Sequence, residues 1–135
     1  MQIGSASGHL RLSPEPNDAT LDYLVAGLAD DGLSAAKRVY AHYGLGWRDL
    51  AAFFAGLAAD WRGWSGTREW ASLEADLRIE ARHEYGKLQL RVTLSQYRAD
   101  WGNHGWQATA DLTLEPGEEL SRVADELRDL ANTNS

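Results

Sequence analysis

Two runs on either side of Tyr85-Gly86 alternate apolar and polar residues so regularly that they specify how they pair. Leu77, Ile79, Ala81 and His83 point to one side of the first run, while Leu88, Leu90, Val92 and Leu94 do so in the second. A period of two marks a strand with one face on a core and the other toward water. If Tyr85-Gly86 is a two-residue turn, Ile79 meets Val92, Ala81 meets Leu90 and Leu77 meets Leu94. The same register sets Glu84 opposite Lys87 and Glu80 opposite Arg91 on the outer face. A slip of one residue would turn those charges inward, so apolar pairs and opposite charges select one alignment. A third run, over 105–115, carries Trp106, Ala108, Ala110, Leu112 and Leu114 on one face and polar residues on the other. It is expected to pair with the second.

Helical spacing flanks these strands. Trp47, Leu50, Phe54, Leu57, Ala58 and Trp61 recur at intervals of three and four and predict a helix over 47–62. Gly63 can adopt the left-handed cap, which would set Trp64 over Ala58 and Ala59. A second helix is predicted over 117–131, where Leu120, Val123, Ala124, Leu127 and Leu130 form the stripe. Glu118 and Glu119 suit the positive end of its dipole. The N-terminal third offers strands over about 8–13 and 20–29, then the turn signal Asp30-Asp31-Gly32. Leu33 to Tyr43 reads either as a helix begun at Ser34 or as a strand folding back on its predecessor. We take it as a strand over 33–41.

These elements give a single domain over 1–135 of the α+β class. The expected architecture is one antiparallel sheet of about six strands, ending with 74–84, 87–97 and 105–115, with both helices on one face. The order is βββα-βββα.

At 135 residues and 44% hydrophobic, the chain can bury its own core. It has no cysteine, which removes disulfides and thiolate metal sites. Met1-Gln2-Ile3-Gly4-Ser5 lacks the basic and apolar segments of an export signal, and no apolar run approaches the ~20 residues that span a bilayer. A cytoplasmic location without membrane association is expected. The formal net charge of −7 repels phosphate backbones, so nucleic acid is not an expected partner, whereas a basic protein is.

No catalytic motif appears, and none of the four histidines has metal-ligand spacing. Glu69, Glu74 and Asp76 could supply an acid and base pair, but nothing sets their separation, and Glu74 and Asp76 read as solvated. No metal, cofactor or catalytic residue is therefore assigned. The chain's six tryptophans are the richer signal. Trp61, Trp64 and Trp70 fall within ten residues, and periodicity leaves Trp64, Trp70 and Trp101 without a place in the core. His104 lies in a glycine-rich loop between Trp101 and Trp106, and Arg68 and Glu69 adjoin Trp70. An ion-pair network around Arg62, Arg68, Asp60 and Glu69 would lock the tryptophan-rich turn without a ligand. The candidate binding set is Trp64, Arg68, Glu69, Trp70, Trp101 and His104.

Phe53-Phe54-Ala55-Gly56-Leu57-Ala58-Ala59-Asp60-Trp61-Arg62-Gly63-Trp64, followed by Trp70-Ala71-Ser72-Leu73-Glu74 and Arg82-His83-Glu84, resembles an uncharacterised actinobacterial domain family. Asp31-Gly32-Leu33-Ser34-Ala35 and Leu114-Glu115-Pro116-Gly117-Glu118 resemble it too. The resemblance implies two blocks of three strands and a helix, which supports the strand at 33–41. That layout is similar to WapI-type immunity proteins, which neutralise the tips of contact-dependent toxins. By that resemblance the chain is expected to be a non-enzymatic, immunity-like interaction module for a basic toxin domain. The alternative is a small-ligand or glycan-binding module using the tryptophan-rich loops.

Overall fold

The hairpin specified by the alternation forms in the expected register, with Ile79 opposite Val92, Ala81 opposite Leu90 and Glu80 opposite Arg91. The computed structural model describes residues 1–15, 22–97 and 105–132. Tyr85 and Gly86 both have positive φ, 55° and 72°, the signature of a type I′ turn whose twist matches that of the strands it joins.

Among the described residues there are eight strands and two helices. They are β1 (Gln2–Gly4), β2 (His9–Ser13), β3 (Tyr23–Asp30), β4 (Leu33–Tyr40) and α1 (Arg48–Ala59), then β5 (Thr67–Ala71), β6 (Leu77–Glu84), β7 (Lys87–Gln96), β8 (Trp106–Leu114) and α2 (Glu118–Asn132). The expectation of one six-stranded sheet in the order βββα-βββα is wrong. Two separate four-stranded antiparallel meanders form, β1-β2-β3-β4 and β5-β6-β7-β8, each followed by a helix, so the order is ββββα-ββββα.

Two strands escaped the sequence reading for different reasons. β1 is three residues long and contributes one buried side chain, Ile3, too little for a period. β5, Thr-Arg-Glu-Trp-Ala, is an edge strand with only Trp70 buried, so its composition resembles a polar loop. Coverage explains why the halves do not merge into one layer. Six strands at about 4.8 Å spacing are roughly 29 Å wide, whereas two helices of about 10 Å diameter cover roughly 20 Å. The remaining apolar strand surface needs a second sheet. β8 accordingly runs against β1 and β3, and β7 against β4, while α1 packs on α2. Side chains from both sheets and both helices join one buried cluster that includes Leu10, Leu24, Phe54, Ile79, Val92 and Leu127.

The alternative reading of 33–43 as a helix is overturned, since β4 pairs with β3 along its whole length, from Asp30 opposite Leu33 to Tyr23 opposite Tyr40. α1 ends at Ala59 with Asp60 as its C-cap, short of the predicted boundary. Trp61 is thereby off the helical cylinder, and 47% exposed instead of buried in the stripe. Trp106, at the first position of β8, is also exposed, although its parity matches the buried Ala108, Ala110 and Leu112.

One polar cluster lies inside this core. The turn from Ser72 to Asp76 is cross-braced: Ser72 Oγ donates to Asp76 Oδ1 at 2.5 Å and accepts from Leu77 N at 3.1 Å. Asp76 is 7% exposed, in contrast to the solvated carboxylate expected. Lys37 Nζ, from β4 in the other sheet, sits 2.9 Å from Asp76 Oδ2 and donates to the Ser95 carbonyl of β7 at 3.2 Å. Ser95 N in turn donates to the Asp76 carbonyl at 2.9 Å. A single ammonium thus ties the first meander to two strands' ends of the second.

The outer face of the second meander carries charges in register. Arg91 Nε donates to Asp111 Oδ1 at 2.8 Å across β7 and β8. That hydrogen bond holds the Asp111 carboxyl below its usual value, against the smaller opposing effect of burial.

Two stability outcomes are expected. Lys37→Met leaves the buried Asp76 carboxylate unpaired and should cost about 3 kcal/mol in urea denaturation; a loss too small to measure would show that the ion pair does not hold the sheets together. Tyr85 is 95% exposed in a left-handed conformation that asparagine tolerates far better. Tyr85→Asn should therefore raise stability by about 1 kcal/mol, seen as a higher melting temperature.

Candidate binding site

The segment between β4 and α1 reads His42-Tyr43-Gly44-Leu45-Gly46-Trp47. Its glycines at 44 and 46 have φ of 73° and 59°, which lets the chain turn tightly enough for His42 and Gly46 to form an isolated antiparallel bridge. Leu45 N and Gly46 N both donate to the His42 carbonyl, at 3.2 and 3.1 Å. This loop throws Tyr43 and Leu45 outward and Trp47 into the core.

Beside the loop lies a cleft of about 750 Å³, within the range of small-ligand and peptide sites. The end of β4 forms one wall, the turn at Leu73 and Glu74 another, and Leu130 and Ala131 of α2 a third. Of the eight large apolar side chains exposed among the described residues, Tyr40, Tyr43, Leu45 and Leu73 line this cleft. Exposed apolar side chains scattered singly carry little meaning, but four converging on one concavity make it the candidate contact surface.

A polar network holds the cleft's shape. Trp70 Nε1 donates to Asp49 Oδ2 at 2.8 Å, and His42 Nε2 lies 3.2 Å from the same oxygen. His42 Nε2 also lies 3.2 Å from the Ala71 carbonyl oxygen. Both partners of Nε2 are acceptors, so that nitrogen carries the hydrogen. Asp49 is in the first turn of α1, where the helix dipole favours a carboxylate. One carboxylate thus joins α1, the loop and β5. Arg48 closes the loop from the other side, with Nε donating to the Leu45 carbonyl at 3.0 Å and Nη2 to that of Gly44 at 2.5 Å.

The residues singled out from sequence do not converge on this cleft. Trp70 is 8% exposed, its ring in the core and its indole N–H spent on Asp49, so it offers no free face. Trp64 is half-buried at the other side of α1: the Arg68 guanidinium lies 4.7 Å over its ring and His83 meets it edge-on at 5.4 Å. Gly63 has a positive φ of 136°, but the helix closes at Asp60 three residues earlier, so the expected cap at Gly63 does not form. Arg68 Nη2 pairs with Asp60 at 2.8 Å, so the tryptophan-rich turn is locked by its own charges. Glu69 is exposed and 3.8 Å from Arg78. His83 Nε2 lies 3.0 Å from the Trp61 carbonyl oxygen. Trp101 and His104 lie outside the described residues.

The sequence reading missed His42, Tyr43, Leu45 and Asp49. A signal was present: Tyr43 and Leu45 belong neither to the alternation of β4 nor to the stripe of α1, so apolar residues spaced by glycines had no core to enter. A shallower groove of about 390 Å³ between α1 and α2 is walled by alanines, among them Ala52, Ala55 and Ala124. Among the described residues no cluster of three or more His, Asp or Glu could hold a metal, and no helix is long and apolar enough to cross a membrane.

Two ββββα units, with an aromatic-lined cleft beside the first helix, define the α+β fold. The chain belongs to the DUF6228 family, a family of unknown function, which matches residues 1–134. No curated protein and no solved structure matches it.

Asp49→Ala strands the buried indole N–H of Trp70 and should destabilise the protein by about 2 kcal/mol. In a double-mutant cycle with Trp70→Phe, the two losses should couple by about 1 kcal/mol; simple additivity in urea denaturation would remove Asp49 from its bracing role.

Proposed function

We propose that this protein is a non-enzymatic, cytoplasmic protein-interaction module that receives part of a partner in the cleft beside α1. The observation that carries the reading is the convergence of Tyr40, Tyr43, Leu45 and Leu73 on one concave surface, each exposed. Aromatic and aliphatic anchors around a recess are the usual source of binding energy in specific interfaces. The net charge of −7 supports a basic partner, by raising the encounter rate with a positively charged surface. In its narrower form the module is an immunity-like neutraliser, and the basic partner is a toxin domain.

The glycan alternative loses its platform at two positions. Trp70 is buried, and Trp64 has Arg68 on its face and His83 at its edge.

A photo-crosslinking amino acid in place of Tyr43 tests the cleft in cells. One discrete adduct is expected from position 43, and none from Asp111 on the outer face of the second meander. Adducts from position 111 alone would transfer the interface to that sheet face. The narrower form is tested by co-expression with basic toxin domains encoded beside the gene: growth should be rescued by the native chain and not by a Tyr43→Ala, Leu45→Ser variant. Failure to rescue with any such toxin overturns it.

A further inference from the structure

The chemistry around the cleft is not that of a purely apolar recess. Tyr40 and Tyr43 contribute exposed aromatic rings, whose faces carry partial negative charge, whereas Trp47 lines the cleft as a buried residue. Glu74 contributes a carboxylate, and it makes no ion pair or hydrogen bond among the described residues. Arg48 is the one arginine or lysine in the lining, and its guanidinium is turned back onto the loop carbonyls of Gly44 and Leu45. Two of its five N–H donors are thereby used by the wall itself, and its positive charge remains. The balance is negative: tyrosine ring faces and a pair of carboxylates, Asp22 and Glu74, outweigh the one guanidinium. Ring faces and carboxylates attract cations and repel acids.

Building on the cleft as the binding site, we propose that it recognises an organic cation: a lysine, arginine or quaternary ammonium side chain projected by the partner. Glu74 serves as counter-ion at the rim, and the tyrosine rings flank the cationic head while the alkyl stem contacts Leu45 and Leu73. The anchors around the recess are then matched to the two parts of such a side chain, apolar stem and charged head. Tyr43, 95% exposed on the glycine-bounded loop, has the most surface to bury against an entering group. The volume exceeds that of one side chain, so neighbouring residues of a peptide enter with it.

The test uses three probes on the full-length chain, followed by nitrogen–proton NMR. They are N-acetyl-arginine amide, N-acetyl-trimethyllysine amide, and the uncharged carbon isostere of the latter. Both cations should shift the Trp47 indole resonance and the Gly44 and Gly46 amides in a saturable way. The isostere should bind at least about fivefold more weakly, as a cation–π contact at a partly exposed site implies. Glu74→Gln and Tyr43→Ala should each weaken the cations several-fold and leave the isostere nearly unchanged. Both positions are exposed, so the variants retain the fold. Equal binding of isostere and cation overturns the cation assignment and keeps the cleft as a binding site. Shifts confined to residues elsewhere overturn both, as does the absence of any shift at tens of millimolar, together with a negative crosslink at position 43.

Discussion

Lys37 and Asp76 face each other across the space between two sheets that share no backbone hydrogen bonds. Each meander completes its own ladder, so nothing in the secondary structure specifies how the halves sit together. Apolar burial drives them into contact but is non-directional. A partly buried ammonium with a buried carboxylate and a backbone carbonyl as partners is directional, because any displacement leaves the carboxylate without its counter-charge in a poorly solvating interior. The brace from Ser72 holds Asp76 ready for that contact, and the Asp76 carbonyl carries it on to β7 through Ser95. The relative placement of β4 and the turn at 72–76 follows from this joint.

That placement makes the cleft. One wall is the end of β4, three residues beyond Lys37, and another is Leu73-Glu74, two residues before Asp76. The site is therefore assembled from both halves of the chain. Asp49 supplies the finer adjustment, holding the 42–47 loop to β5 through His42 and Trp70. With its walls fixed by an ion pair between the sheets and a shared carboxylate, the cleft is held in shape without a ligand.

The tryptophan cluster shows where reading from sequence succeeds and where it stops. Trp47 lies in the core as its helical spacing implies. Trp61 obeys the same spacing but falls beyond the C-cap, and a side chain two residues past a helix end no longer shares its face. Trp70 has no periodic partner, so its spacing suggests a surface position, yet it is the one inward residue of an edge strand. Its burial required a hydrogen-bond acceptor for the indole, and Asp49 is 21 residues away in sequence. Nothing local connects them. Asp76 is similar: by composition it belongs to a polar turn, and its burial relies on Lys37 from the other sheet as well as on the nearby Ser72 hydroxyl.

What the amino-acid sequence alone determined is local and periodic. The register of β6 on β7, the turn at Tyr85-Gly86 and the inward face of β8 follow from side-chain alternation, and the helix stripes from three-and-four spacing, because one-residue errors there would exchange buried and solvated faces. Tertiary structure decided the rest. It divided the strands into two sheets, since two helices cannot cover one broad layer. It paired Lys37 with Asp76, and it gathered Tyr40, Tyr43, Leu45 and Leu73 around one recess. Those outcomes depend on contacts between residues far apart in the chain, which leave no period in the sequence to read.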